Sequence, residues 1–424
     1  MPSAGLLILA VLGTPLFVII AAGALLGFSR QDIDLAVIGV EIYRLAEMPV
    51  LSAIPLFTFA GYLLGESKAP QRLVNVSESL LGHIPASLAV VTFGASSLFT
   101  AFTGASGITI IALGALLLPA MLKAGYSEQF ALGSVTTSGS LGLLFAPSVP
   151  LILYGVIAQQ LGLDINLSIS DLFLAGILPG LLMITLLSLY SMRVYGRSRR
   201  SLPAKEKQPP TTALWQARWE LPLPLLVLGG IYSGILAVSE AAAVTALYVL
   251  IVEVFILREI TTNRLLKIVR ESMSLVGGIL LILGVSLAST NYLIDAGIPN
   301  LLFELIREHI DSKWSFLLLL NVFLLLLGMM LDIFAAIVIM VPILLPIALS
   351  YEVHPVHLGI IFLANMQLGY MTPPVGLNLF IASYRFNKPV MQVYRATLPF
   401  FFILLVCVLL ITYLPFLSTG LLNK

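Results

Sequence analysis

The stretch FTAFTGASGITIIALGALLLPAMLKAGYSEQFALGSVTTSGSLGLLFAPSVPLILYG, Phe99–Gly155, breaks helix twice inside apolar sequence. The first break is Gly104-Ala105-Ser106-Gly107 and the second is Ala146-Pro147-Ser148-Val149-Pro150. In lipid every backbone N–H and C=O needs a partner, so such breaks persist only where they are packed in protein or line a polar cavity. Two in one segment point to a binding site.

The same plan recurs downstream. An offset of 227 residues places Pro119 over Pro346 and Pro147 over Pro374 (346 − 119 = 374 − 147 = 227). Gly142 then falls over Gly369, and Ala105 over Asp332. Two apolar, proline-bearing segments can match by chance. Prolines and a glycine in register inside helical breaks favour a true internal repeat.

Composition sets the class. With 59% hydrophobic and 10% charged residues over 424 positions, against about 25% charged in soluble domains, the chain reads as an all-α polytopic membrane protein. The net charge of +1 offers no field for nucleic acid. The single cysteine, Cys407, excludes an internal disulfide. No phosphate-cradling loop is present, so uphill transport would draw on an ion gradient or a partner. Nor is there a nucleophile triad or metal-ligand cluster, and an enzyme is not expected.

Read in order, residues 4–28 form a first, retained span, and 30–48, with charges among apolar positions, read as an amphipathic interfacial helix. A span over 50–65, a polar turn with Lys68 and Arg72, and a helix over 73–82 complete an N-terminal region, 1–83. Residues 84–160 hold the first hairpin (84–103 and 108–122, the latter short enough to be re-entrant) and the first broken helix. Residues 161–313 carry a span over 172–192, a linker, spans over 221–238, 241–257 and 272–293, and a second amphipathic helix over 298–309. Residues 314–384 repeat the hairpin and broken helix, with Asp332 at the tip, and 385–424 hold the last span. Linker residues 193–210 contain six basic side chains and one acidic one, which assigns the 193–213 linker to the cytoplasm. Trp215 and Trp219 read as interfacial anchors.

The blocks GlyAlaSerGly, Ala146-Pro147-Ser148, SerGluAlaAlaAla at 239–243, HisProValHis at 354–357 and ThrProProValGlyLeuAsnLeuPhe at 372–380 resemble the large membrane subunit of tripartite ATP-independent periplasmic (TRAP) transporters. The resemblance covers nearly the whole chain. It implies two inverted structural repeats, each with a re-entrant hairpin and a broken helix, in an elevator-type architecture where hairpins and broken helices move against a scaffold. It further implies sodium-driven import of small organic acids such as C4-dicarboxylates or sialic acid across the bacterial inner membrane. The expected partners are a small membrane subunit and a periplasmic substrate-binding protein. The competing reading is a self-sufficient sodium- or proton-coupled carrier of organic anions.

Proline-interrupted helices expose carbonyls that have lost their N–H donors, which suits sodium. Pro147 would free the Leu143 carbonyl, and Pro373 and Pro374 those of Gly369 and Tyr370. Gly142 and Gly369 would admit the opposite hairpin tip. Two sodium sites are therefore expected: Thr103, Ala105, Gly142, Phe145 and Pro147 in one, and Met330, Asp332, Gly369, Thr372 and Pro374 in the other. An acid in so apolar a segment is functional by default, although Asp332 can equally cap the helix that follows. Ser106, Ser138, Ser148, Asn365 and Asn378 are candidates to bond an organic anion, or else to satisfy backbone freed by the breaks. His354 and His357 share a helical face but fit a polar turn better than a metal pair, and Arg385 reads as an anchor and not a ligand.

Overall fold

The computed structural model describes residues 16–30, 47–81, 84–161, 167–195, 209–310 and 312–422, with single positions at 14, 34, 36, 39–40, 43 and 163. The start of the first span, most of the 30–48 helix, His83 and linker residues 196–208 therefore lie outside the described residues. Among the described residues every regular element is helical, and nine helical segments are long and apolar enough to cross a membrane.

Both hairpins form where the pattern places them. The first is Ser87–Thr103 followed by Ser106–Lys123, and the second is Lys313–Met330 followed by Ile333–Ser350. The limb Ser106–Lys123 runs 18 residues with Pro119 inside it. That is longer than the sequence reading and close to 27 Å by helical rise. The two tips are built differently. Gly104, at φ +64°, caps the first limb in the left-handed region that only glycine enters without strain, whereas Leu331 and Asp332 turn the second tip with extended backbone.

The broken helices are Glu128–Ser138 with Val149–Gln160, joined through a short turn at Leu141–Leu144, and Pro355–Gly369 with Leu377–Phe386. Ala146-Pro147 and Pro373-Pro374 are both cis. Each hairpin's entering limb packs on its own broken helix, while each leaving limb packs on its own and also on the other's: Ser106–Lys123 on Glu128–Ser138 and Leu377–Phe386, and Ile333–Ser350 on Pro355–Gly369 and Val149–Gln160. The two breaks thereby meet in the middle of the molecule.

Some boundaries differ from the expectation for identifiable reasons. The helix expected over 272–293 starts ten residues earlier and takes in most of the basic residues before it, because Thr262–Asp295 is one 34-residue helix. Its exposed turn carries the Lys267–Glu271 pair at 3.7 Å, an i,i+4 spacing that supports helix outside lipid. The span expected over 221–238 ends at Tyr232 and the one expected over 241–257 begins at Val238, the two parted at Gly234 with φ +73°. The second amphipathic helix, Ile298–Arg307, packs on Thr262–Asp295 and also on the leaving limb of the second hairpin.

One buried charge cluster was not legible as such. Arg72, assigned to a polar turn, lies inside the helix Ala69–Leu81. Its guanidinium donates to Glu220 at 2.5 Å and Glu259 at 2.6 Å, and lies 3.3 Å from Glu253. Burial pushes the Glu220 carboxyl up, against the pull of Arg72. The cluster fastens the helix leading into the first hairpin to three points of the surrounding frame. Arg72→Met is expected to lower stability by about 3 kcal/mol, since removing one partner strands buried charge. The deficit should shrink on acidification, as the carboxylates take protons. An unfolding midpoint in detergent equal to the wild type at pH 8 would remove Arg72 from that role.

Candidate functional site

A cavity of about 310 Å³ lies between the hairpin tips. Gly104 to Ile108 line it from the first tip and Asp332 to Phe334 from the second, with Leu143 from the first break and Tyr370 from the second. Its polar side chains are Tyr62, Ser106, Asp332 and Tyr370; among the described residues no Lys, Arg or His lines it.

The two tips present opposite chemistry. Ala105 gives the helix Ser106–Lys123 no side-chain cap, so its first N–H groups point their partial positive charge at the cavity. Ser106 is 4% exposed, and its hydroxyl makes no hydrogen bond among the described residues. At the second tip, Asp332 Oδ1 accepts from the N–H of Phe334 at 2.9 Å and of Ala335 at 3.1 Å. Tyr370 Oη accepts from the N–H of Ile333 at 2.6 Å. Asp332 thus does cap its helix, and its Oδ2 has no protein donor among the described residues.

Of the expected first sodium set, Thr103, Ala105, Gly142, Phe145 and Pro147 gather around the end of the first hairpin and the first break. Thr103 Oγ1 donates to the Ala105 carbonyl at 3.4 Å and keeps its lone pairs. Pro147 has no N–H, and no backbone donor takes the Leu143 carbonyl among the described residues. A Cβ on Gly142 would sit 2.2 Å from Ser97 O and 2.6 Å from Ala101 N. Gly142 therefore admits the hairpin's entering limb, about a turn short of the tip and not the opposite tip. The ring of Phe145 turns away, onto Gly180.

The second set is less open than expected. The Gly369 carbonyl accepts from Thr372 N at 2.9 Å and the Tyr370 carbonyl from Asn378 N at 3.1 Å, so the local turn re-satisfies what the prolines released. Thr372 Oγ1 donates to Leu368 O at 3.0 Å, which leaves its lone pairs available. Pro374 lies in the turn, and Gly376 N donates to Met329 O at 3.2 Å, tying break to hairpin. Gly369 is pressed on Gly328, which is Ala101 plus the same offset. Met330 is 68% exposed and could contribute only its backbone carbonyl, to which no turn or loop donor is bonded among the described residues. Asp332 is left as the charged ligand available on this side.

The proposed anion ligands divide. Ser106 alone lines the cavity. Ser138 donates to Ser96 Oγ at 3.0 Å, and Asn365 donates to Asn321 Oδ1 at 2.6 Å. Both sit at one register (365 − 227 = 138) and bind hairpin to broken helix. Asn378 Nδ2 reaches Ser140 Oγ at 3.3 Å across the two halves. Ser148 Oγ, Asn378 Oδ1 and both amide atoms of Gln367 are buried without a partner. Gln367 was passed over in the sequence; its place over Ser140 was the signal. Thr100, also missed, joins the hairpin limbs to the break through Thr109 Oγ1 at 2.6 Å and Gly139 O at 2.9 Å.

His357 bridges Ser418 Oγ and Thr412 O, while His354 caps its helix through Val356 N. Both rings serve the fold. Arg385 Nε donates to Ile111 O at 3.1 Å, on the first hairpin.

The family described as tripartite ATP-independent periplasmic transporter, DctM component, matches residues 3–417. The C4-dicarboxylate TRAP transporter large permease protein DctM of Pseudomonas aeruginosa is 34% identical over 91% of this chain and 89% of its own length. The isethionate TRAP transporter permease protein DctMQ of Oleidesulfovibrio alaskensis is 36% identical over 86% of this chain, which spans 57% of that relative. The sialic acid TRAP transporter permease protein SiaT of Haemophilus influenzae is 31% identical over 96% of this chain and 66% of its own length. Among solved structures, the YdaH transporter of Alcanivorax borkumensis is similar in fold, with a TM-score of 0.61 at 16% identity over 90% of this chain and 88% of its own. These relatives are named as permeases and not as enzymes. The chain is a multi-pass membrane protein that belongs to the DctM family, the large permease subunits of TRAP transporters.

Proposed function

We propose that this subunit carries small organic acids into the cell through the cavity between the hairpin tips, driven by sodium. The observation that carries the reading is the composition of that cavity. It opposes a bare helix N-terminus and an unpartnered Ser106 to the Asp332 carboxylate, without a basic side chain among the described residues. A solute carboxylate would seat on the N–H groups of the first tip, as anions do at helix N-termini. Beside Asp332 a second negative charge is tolerable in lipid only with cations present. Sodium supplies that charge and rides as a co-substrate, with Asp332, Thr372 and Thr103 offering side-chain oxygens and the freed Leu143 carbonyl a backbone one. The orphaned Ser148 oxygen lies close in sequence to the first set.

Ser138 with Ser96, Asn365 with Asn321, and the glycine contacts fasten hairpins to broken helices, which supports movement of that body as a unit in an elevator step. The Arg72 cluster supports a frame that stays still. The relatives' names support a periplasmic binding protein as the solute donor and a small membrane subunit beside the frame, in the bacterial inner membrane. The basic 193–213 linker supports a cytoplasmic face there.

Purified protein with its small subunit, reconstituted in liposomes, should take up labelled organic acid only with inward sodium and with loaded binding protein outside. Uptake without the binding protein would favour the self-sufficient carrier. Uptake indifferent to sodium would end the sodium reading.

A further inference from the structure

We infer that Tyr370 is a positioning residue that holds the second hairpin tip and keeps the Asp332 carboxylate turned to the cavity; the sodium consequence rests on the proposed coupling. A helix leaves its first N–H groups without partners. At the second tip three of them are filled by two side chains: Tyr370 takes Ile333, and Asp332 takes Phe334 and Ala335 through one oxygen. At the first tip none has a side-chain cap, and the position in register with Tyr370 (370 − 227 = 143) is Leu143, which has no polar atom beyond its backbone.

The Tyr370 ring is 2% exposed and lies at the cavity wall. It sits in the break, where its own carbonyl is held by Asn378 N. Its hydroxyl reaches the tip from a braced position. Because a neutral oxygen serves Ile333, Asp332 can satisfy two donors with Oδ1 and leave Oδ2 for a cation. Without the hydroxyl, a buried N–H would stand unpaired beside a carboxylate. Asp332 would turn back to it, since an orphaned buried donor is costly and a charge-assisted bond to it is strong. The same hydroxyl closes the second tip to an organic anion and leaves it the first tip alone.

Tyr370→Phe keeps the ring and removes only the hydroxyl, and with it the acceptor for Ile333 N–H. Expected is a rise of about tenfold in half-saturating sodium, the scale of one hydrogen bond to a charged group, with substrate half-saturation at saturating sodium changed less than about twofold. Since Tyr370 acts through Asp332, Tyr370→Phe combined with Asp332→Asn should be no worse than Asp332→Asn alone. Amide hydrogen exchange over residues 331–336 should be about tenfold faster in Tyr370→Phe, whatever the ion. Additive losses in the double variant, or an unchanged tip exchange rate, would overturn the inference. Sodium-independent uptake by the wild type would instead count against the coupling, and tip exchange alone would then decide the role of Tyr370.

Discussion

In Asp332→Asn, half-saturating sodium for uptake is expected to rise by about 10- to 100-fold, the worth of a charge-assisted contact of about 1.5 to 3 kcal/mol. The substitution separates the two roles of this residue. Asn keeps an acceptor oxygen and caps helices about as well as Asp, so the bonds to Phe334 and Ala335 and the start of Ile333–Ser350 persist. Only the charge is lost. Asp332 is the only acid between Trp314 and Ser350, and a carboxylate at bilayer depth is disfavoured by about 2.5 to 3.5 kcal/mol on insertion scales. The variant should therefore insert at least as well as the wild type while losing sodium affinity. A sodium titration of uptake in proteoliposomes reads this directly, and an unchanged curve would leave Asp332 as a cap alone.

Gly369→Ala is expected to reduce uptake by about tenfold or more while the protein still inserts and folds. The added Cβ would stand 2.5 Å from the carbonyl carbon of Gly328 and 2.6 Å from its Cα. Backbone cannot rotate away as a side chain can, so the second hairpin must move off its broken helix. Overpacking of this kind is worth about 1 to 3 kcal/mol, and shifts near 1 Å in a binding constellation are enough to lose about a hundredfold in rate. The reciprocal change is milder: a Cβ on Gly328 meets the Gly369 Cα at 3.2 Å. Gly328→Ala should consequently retain most uptake. Transport rates normalised to membrane-inserted protein test the order, and a Gly369→Ala rate equal to the wild type would show that this contact does not position the site.

Much of this architecture was written in the residues. Apolar runs of membrane length, with prolines and glycines in register at an offset of 227, placed both hairpins and both breaks to within a few residues. Backbone in lipid has few ways to satisfy itself, so a glycine or proline there has strong local consequences. Asp332 announced itself for the same reason. The Arg72 cluster did not, because its four members are scattered over nearly 190 positions (259 − 72 = 187) and each alone reads as a loop charge.

Which freed groups stay free was decided by the tertiary structure alone. Proline chemistry predicts open carbonyls at Gly369 and Tyr370, yet Thr372 N and Asn378 N close them, while at the matching break no backbone donor takes the Leu143 carbonyl among the described residues. Ser138 and Asn365, polar and buried like Ser106, were drawn into bonds between hairpin and broken helix. Sequence determined the helices, their interruptions and the acid at the tip, since these follow from local backbone chemistry. Packing determined that one tip is bare and the other capped, because a hydrogen bond between Ile333 and Tyr370, 37 residues apart, exists only once two separate breaks have been folded against the same cavity.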